Sequence, residues 1–338
     1  MKNQVSVKKI LQKKKYTWLI TGVAGFVGAN LLEELLRLDQ KVIGVDNFLT
    51  GSISNLNCVK KTVTKQQWKN FRFTRGDLRQ YKICKKICHK VDYVLHQAAL
   101  GSVPRSIKNP LDTHNNNVNT FLNMMLAAMS SGVKNFVYAS SSSVYGDSKQ
   151  IPKIENIVGN QMSSYALSKY INELYSKVFF KNYGFRSIGL RYFNVFGKYQ
   201  NPTSSYAAVI PLWINQILKG KKIFINGDGK TTRDFCYIDN VVQANLLAAL
   251  SKKSKIQNEV FNIAINSQIS LNQLYLSIKK ITNDLGNNYN LKPIYKNFRK
   301  GDIRHSRAKI SKARKLIFYK PNCKFFDGLK LTIKWHKK

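Results

Sequence analysis

The sequence has no long hydrophobic run. No stretch of the 338 residues approaches the roughly eighteen consecutive apolar residues of a membrane span. Residues 1–15 also lack the apolar centre of a signal peptide. We therefore expect a cytoplasmic protein without membrane insertion. Residues 1–15 are basic with scattered apolar side chains, and we interpret them as a surface extension rather than a targeting arm.

Acidic residues are scarce. The chain has 56 Lys and Arg against 17 Asp and Glu, which gives a formal net charge of +39. Such an excess ordinarily indicates nucleic acid or an anionic membrane. The lysines, however, are spread along the whole chain beside abundant Asn and Ile. This composition-wide bias predicts weak, salt-dependent polyanion binding and no specific nucleic-acid partner.

Cysteine is also sparse, with five residues. An odd number without a secretion signal argues against a disulfide framework and predicts free thiols. Cys84, Cys88 and His89 are spaced like metal ligands on a helix, but no second ligand pair accompanies them. We predict no metal site.

What the sequence does contain is a strand, a glycine turn and a helix near its start. Thr17–Ile20 is β-branched, aromatic or aliphatic, and Ala29–Leu38 has helical periodicity. A side chain on the intervening turn would hold a pyrophosphate away from the backbone N–H groups and the helix dipole. The pattern predicts a dinucleotide site, with an ordinary tight turn as the alternative. The residues of this turn are Gly22, Gly25, Phe26, Val27 and Gly28.

Further candidates for cofactor binding follow later strands. Asp46, next to Asn47, directly follows the predicted strand Lys41–Val45. An acid at this position accepts hydrogen bonds from the ribose hydroxyls of the adenosine and repels a 2′-phosphate. NAD is thus favoured over NADP, although a solvated turn acid is the alternative. His96 is interpreted as a packed histidine. The remaining candidates are Asp77 and Leu78, which would meet the adenine, and Gln97, Ala98 and Ala99, small or amide residues near the cofactor's centre.

Strand and helix patterns alternate through the first half of the chain, which predicts an α/β fold with a Rossmann-type doubly wound parallel sheet. A long helix is predicted over 115–129 and a strand over 135–139. Ligand belongs at the carboxyl ends of the strands. The serine run Ser140–Ser143 begins at such an end, and there it can present hydroxyls.

Tyr165 and Lys169 are four residues apart on a predicted helix, so their side chains share one face. A tyrosine is a poor base at neutral pH. A nearby ammonium and a cationic nicotinamide would stabilise its phenolate and make it a base for a sugar hydroxyl.

Together these residues resemble an extended short-chain dehydrogenase/reductase of the nucleotide-sugar branch. The resemblance runs from Tyr16 to the end of the chain. It is carried further by Leu190–Gly197, Ile225–Gly229, Arg233–Asp239 and Gly301–Ser306.

Within that branch, the dehydratases place an Asp-Glu pair after the catalytic Ser or Thr, and the decarboxylases keep a Glu. Here these positions are Ser142 and Ser143, which leaves reversible oxidation at C4. The chain is most similar to bacterial 4-epimerases of UDP-N-acetylglucosamine that also accept the uronic acid, enzymes of O-antigen and polysaccharide biosynthesis. A UDP-glucose 4-epimerase is the alternative, and a catalytically silent NAD- or polyanion-binding protein is the alternative outside enzymes.

The resemblance implies a role for each site residue. Tyr165 removes the 4-hydroxyl proton, Lys169 binds the nicotinamide ribose and lowers the tyrosine pKa, and Ser141 hydrogen-bonds the 4-oxygen. NADH and a 4-keto sugar form transiently, and the sugar turns over before it is reduced. The implied substrate contacts are Ser102, Val103, Ser141, Ser142, Ser143, Tyr165, Asn194, Val209, Arg233, Arg299, Asp302 and Ser306.

The resemblance also implies substrate range and organisation. Ser306 stands where epimerases of non-acetylated sugars carry tyrosine, so it would leave room for a 2-acetamido group. Thr120 departs from the family's usual glycine. We expect a homodimer, an NAD-binding domain over residues 16–196 and about 235–266, and a substrate-binding lobe over about 197–234 and 267–338.

Overall fold

We describe a computed structural model of the protein, which covers residues 2–204, 206–251, 256–298 and 303–337. The strands are β1 (Thr17–Thr21), β2 (Lys41–Asp46), β3 (Phe71–Arg75), β4 (Tyr93–His96), β5 (Asn135–Ser141), β6 (Ser187–Tyr192), β7 (Val195–Phe196), β8 (Phe224–Asn226), β9 (Thr232–Arg233), β10 (Cys236–Tyr237), β11 (Val260–Ile263), β12 (Ile269–Ser270) and β13 (Ile294–Lys296).

The helices are α1 (Lys2–Lys13), α2 (Phe26–Arg37), α3 (Ile53–Thr62), α4 (Lys65–Trp68), α5 (Tyr81–Cys88), α6 (Val103–Lys108), α7 (Pro110–His114), α8 (Thr120–Ser130), α9 (Ser164–Tyr183), α10 (Val209–Leu218), α11 (Ile238–Leu250), α12 (Leu271–Asp284), α13 (Ser311–Leu316) and α14 (Phe325–Lys337). A π-helical turn, Asn115–Asn119, precedes α8, and a 3₁₀ turn, Ser142–Tyr145, follows β5.

The core of the fold is a parallel sheet with the strand order β11-β6-β5-β4-β1-β2-β3, which has seven strands among the described residues. Every neighbouring pair is parallel. The strand order reverses direction between β1 and β4, so the carboxyl ends of these strands meet beside a crevice. The predicted doubly wound Rossmann-type sheet is confirmed.

Both faces of the sheet are buried by helices. In β1, Trp18 and Ile20 pack into one apolar cluster together with Leu32 of α2, whereas Leu19 packs into a second cluster with Phe121 of α8. This alternation follows from the two-residue period of a strand. Both clusters are buried, and β1 is accordingly apolar on both faces, as is typical of parallel sheets.

Short strands beyond residue 194 form further pairs. β7 pairs with β10, β9 with β12, and β8 with β13. The last two pairs join the segment that contains β8 and β9 to the segment after residue 267. The proposed division into two domains stays a prediction.

The structure departs from one sequence-based expectation. The helix predicted over 115–129 begins with the π-helical turn, in which Asn117 hydrogen-bonds the backbone of Leu100. The segment after Gly51 is largely helical, since Ser52 caps α3 and Thr64 forms a capping box with Gln67 at α4.

All five cysteines are free thiols, as predicted. Within the described ranges, every helix is too short or too polar to cross a lipid bilayer.

Candidate active site

The glycine turn lets α2 pack tightly against β1. Gly22 has φ of +67°, which favours glycine. A Cβ on Gly28 would lie 2.1 Å from the carbonyl oxygen of Gly22, closer than any real contact. The first turn of α2 therefore lies against the turn that precedes it, and its free N–H groups and positive dipole end are available to an anion.

A cleft of about 320 Å³ opens at this turn, along the carboxyl ends of β1, β2, β3 and β4. Its lining includes every predicted cofactor residue except Tyr165 and Lys169: Gly22, Gly25, Phe26, Val27, Gly28, Asp46, Asn47, Asp77, Leu78, Gln97, Ala98 and Ala99. A cradle of glycine backbone beside a buried acid fits the pyrophosphate and ribose of a dinucleotide.

Asp46 is held in place by backbone donors. Its carboxylate accepts the N–H of Ala24 at 3.0 Å and the N–H of Phe48 at 2.8 Å. Burial raises the pKa of Asp46, and these hydrogen bonds oppose the shift. A Cβ on Gly51 would lie 2.9 Å from either carboxylate oxygen, so Gly51 keeps this side of the acid clear. Sequence reasoning did not assign Gly51.

Asp77 has a partner that the sequence did not predict. Arg79 donates to both of its carboxylate oxygens, with Nε at 3.1 and 3.0 Å and Nη2 at 2.6 Å. The hydrogen bonds from Arg79 hold the pKa of Asp77 below its usual value. An adenine amino group would have to share the carboxylate of Asp77 with Arg79. Adenine binding by Asp77 therefore stays a prediction.

The three predicted catalytic residues lie at the carboxyl end of β5. Ser141 is the last residue of β5, and α9 starts at Ser164, where the hydroxyl of Ser163 caps the helix by accepting the N–H of Ala166. Burial raises the pKa of Tyr165, and a hydrogen bond with Ser141 opposes this.

Lys169 is buried, and its Nζ donates to the carbonyl oxygen of Ala139 at 2.9 Å. Burial lowers the pKa of Lys169 to about 8. The sequence-based explanation attributed the activation of the tyrosine to Lys169. The hydroxyl of Ser141 opposes the rise in the Tyr165 pKa, and activation of the tyrosine by Lys169 stays a prediction.

His96 has the packed role expected of it. Its ring stacks on Phe136, contacts the edge of Phe121 and hydrogen-bonds the hydroxyl of Thr21. Burial, followed by the charge of Lys169, lowers the pKa of His96 to about 3. The imidazole is therefore neutral at physiological pH and tethers β4 to β1.

Four predicted substrate residues lie at the start of α6 or directly after Ser141. Ser102 caps α6 and accepts the N–H of Arg105, while the exposed Val103 begins that helix, which packs against α9. Ser142 and Ser143 form the 3₁₀ turn, and the N–H of Ser143 donates to the Oγ of Ser141 at 3.1 Å.

The other predicted substrate residues lie further along the chain. Asn194 has φ of +35° and donates to the carbonyl oxygen of Asp234. Val209 begins α10. Arg233 lies in β9. Ser306 is buried, and its N–H donates to the carbonyl oxygen of Thr232, so Ser306 lies beside β9. Arg299 and Asp302 lie outside the described residues.

Sequence reasoning missed part of the cleft. Asn116, within the π-helical turn, and Thr120, directly after it, both line the cleft. The hydroxyl of Thr120 donates to the carbonyl oxygen of Asn116 at 2.6 Å. Thr120 was noted only as a departure from the resembled family. A π-helical turn leaves no period in the hydrophobic pattern, so it could not be predicted from the sequence.

Comparison with known proteins agrees with this geometry. A UDP-N-acetylglucosamine 4-epimerase from Methanobrevibacter ruminantium, solved with UDP-N-acetylmuramic acid, is 35% identical with a TM-score of 0.87, over 96% of this chain and 99% of that one. The UDP-glucose 4-epimerase of Thermotoga maritima with UDP-glucose is 33% identical with a TM-score of 0.86, over 95% and 98%. A UDP-glucuronate 4-epimerase from Thermodesulfobacterium geofontis is 32% identical over 95% of this chain and 96% of its own.

Residues 18–264 match the model of the NAD dependent epimerase/dehydratase family. The chain therefore belongs to this family of nucleotide-sugar enzymes, and its cofactor is NAD.

Proposed function

We propose that the protein interconverts UDP-N-acetylglucosamine and UDP-N-acetylgalactosamine, and acts on the corresponding uronic acids, by reversible epimerisation at C4. The observation that carries the proposal is the chemistry at the end of β5. Ser141 ends that strand and its hydroxyl opposes the rise in the Tyr165 pKa, while the next two residues, Ser142 and Ser143, are not carboxylates. Elimination needs an additional acid and base, and those two positions supply neither.

Each residue of the site has a separate role in the proposed reaction. Tyr165 accepts the proton of the 4-hydroxyl, and the hydroxyl of Ser141 favours the phenolate by hydrogen bonding. Lys169 contributes a buried positive charge one helical turn from Tyr165. Bound NAD would supply the hydride acceptor and donor that oxidation and reduction at C4 require. Asp46 would accept hydrogen bonds from the adenosine ribose, and its negative charge disfavours a 2′-phosphate.

The small side chain of Ser306 supports an N-acetylated substrate. It is buried beside β9, which carries Arg233, a cation suited to a diphosphate. A similar protein of known structure acts on UDP-N-acetylglucosamine, while others act on UDP-glucose and UDP-glucuronate. Arg299 and Asp302 are proposed to complete the nucleotide contacts.

We also propose that the protein is a homodimer. Leu167, Leu174 and Val178 form an exposed apolar stripe on α9, with side-chain exposures of 47%, 42% and 48%. A stripe with this helical spacing is suited to packing against the same helix of a second copy. It lies on the helix that carries Tyr165, so association would also steady the active site.

A substrate panel tests the function. The purified protein is incubated with UDP-N-acetylglucosamine, its uronic acid, UDP-glucose and UDP-glucuronate, and the C4 epimers are separated and quantified. We expect the highest kcat/KM for one of the two N-acetylated sugars. A preference for UDP-glucose or UDP-glucuronate would contradict the proposed substrate class.

A substitution of the proton acceptor tests the chemistry. Tyr165→Phe should retain NAD and lose turnover by about 10²- to 10⁴-fold, because general base catalysis contributes about that much. Full activity of the variant would refute the mechanism.

A further inference from the structure

We infer that Ser140, Glu173 and Arg191 form a buried network that positions Ser141 against Tyr165. The inference rests on the proposed function, because it concerns the geometry of the same pair. None of the three is among the residues that line the cofactor cleft. Their solvent exposures are 3%, 2% and 3%, so they act from inside the protein.

The first observation is a pair of hydrogen bonds that tie α9 to the end of β5. Tyr165, Lys169 and Glu173 lie at four-residue intervals and share one face of α9. Lys169 donates to the carbonyl oxygen of Ala139, and Glu173 accepts the hydroxyl of Ser140. These two bonds fix the register of the helix along the strand directly before Ser141.

Glu173 forms the stronger of these ties. Its Oε1 accepts the hydroxyl of Ser140 at 2.5 Å and the Nε of Arg191 at 2.9 Å, and its Oε2 accepts Nη2 of Arg191 at 2.7 Å. Charge-assisted and bidentate bonds of this kind are short, strong and directional. Ser140 and Arg191 are also direct partners in the pairing of β5 with β6, so the network joins both strands to α9.

Arg191 extends the network to the turn after Ser141. Its guanidinium lies 4.7 Å from the ring centroid of Tyr145, which ends the 3₁₀ turn. Its Nη1 donates to the carbonyl oxygen of Glu155 at 2.9 Å. Burial lowers the pKa of Arg191, but the ion pair with Glu173 outweighs it and leaves the pKa above its ordinary value. The chain is thus held on both sides of Ser141, at Ser140 before it and at Tyr145 after it.

Loss of this network should move Ser141 away from Tyr165 without removing either group. A misplacement of about 1 Å can reduce the rate by about 100-fold. The hydrogen bond from Ser141 opposes the upward shift of the Tyr165 pKa. When that bond weakens, the pKa of Tyr165 rises, and a higher pH is needed to form the phenolate. A purely structural role would lower stability without this change in pH dependence.

Ser140→Ala in the NAD-loaded enzyme tests the inference. We expect kcat to fall about 10- to 100-fold, while KM stays within roughly twofold. The acidic limb of the pH profile of kcat should move to higher pH. Ser140→Thr keeps the hydroxyl and should restore most of kcat and the original acidic limb.

Ser176→Ala is the matched control. Ser176 also lies on α9, is buried, and its hydroxyl hydrogen-bonds the hydroxyl of Ser187 in β6 at 2.6 Å, away from the end of β5. It should lower thermal stability about as much as Ser140→Ala but leave kcat and its pH profile unchanged.

Two results would overturn the inference: an unchanged kcat and pH profile in Ser140→Ala, or equal losses in Ser140→Ala and Ser176→Ala. The Tyr165→Phe variant separates this failure from failure of the proposed function. If Tyr165→Phe is inactive while Ser140→Ala is normal, only the positioning network is wrong. If Tyr165→Phe is active, the proposed chemistry itself is wrong.

Discussion

Replacement of Gly28 by alanine should displace the first turn of α2 and weaken NAD binding. The new Cβ would lie 2.1 Å from the carbonyl oxygen of Gly22 and 2.8 Å from the Cα of Val23. Neither neighbour is a flexible side chain, so the helix itself has to move. Overpacking of this kind costs about 1–3 kcal/mol, and at about 1.4 kcal/mol per factor of ten we expect NAD affinity to fall about 10- to 100-fold.

The same contacts provide a graded series of controls. A Cβ on Gly25 would lie 3.1 Å from the same carbonyl oxygen, and a Cβ on Gly101 would have no heavy atom within 4 Å. The thermal stability of the NAD-free protein should therefore fall most in Gly28→Ala, less in Gly25→Ala and least in Gly101→Ala, and calorimetry gives the three melting temperatures. Titration of NAD into Gly28→Ala gives its dissociation constant. Wild-type NAD affinity in Gly28→Ala, or the reverse order of stability losses, would refute the steric reasoning.

Three further outcomes are expected. Ser306→Tyr should reduce kcat/KM for the N-acetylated sugars about 100-fold by a steric clash and spare UDP-glucose, whereas Ser306→Ala should spare both; equal losses on both sugar classes would contradict this. The pKa of Lys169 is lowered to about 8, so its ammonium is lost as the pH rises through that value. Measured kcat should therefore decline above about pH 8, and a flat profile to pH 10 would exclude this role. Leu174→Glu should shift the protein towards a monomer in light scattering after gel filtration, while Leu276→Glu, at another exposed leucine, should not; an unchanged mass for Leu174→Glu would place any interface elsewhere.

The sequence was sufficient to predict the sheet because its strands are apolar on both faces. Trp18, Leu19 and Ile20 are each fully buried, and a continuous apolar run between a lysine-rich segment and a glycine turn has few other interpretations. The cofactor cleft could also be predicted, because Gly22 and Gly28 are required for close backbone contact wherever the rest of the chain lies.

The contacts of the proposed catalytic residues could not be predicted in the same way. Spacing alone places Tyr165 and Lys169 on one helix face, but the partner of Lys169 is the carbonyl oxygen of Ala139, a backbone atom with no signature in the sequence. The ion pair of Arg79 with Asp77 likewise depends on the side-chain rotamers, and no sequence motif indicates it. The π-helical turn before Thr120 contains Asn117, whose long-range bond with Leu100 is seen only in the folded chain.

The two hydrogen bonds that hold α9 on β5 have a consequence for how one active site can serve both directions of the reaction. A phenol on a helix that is anchored to a rigid strand cannot travel around a hexose ring. Both epimers therefore have to bring their C4 oxygen to the same fixed atom, and the ring must reorient while the protein stays still. The freedom needed for inversion has to be provided by the rotatable bonds of the diphosphate, so a substrate with a stiffened pyrophosphate linkage should be oxidised without being inverted.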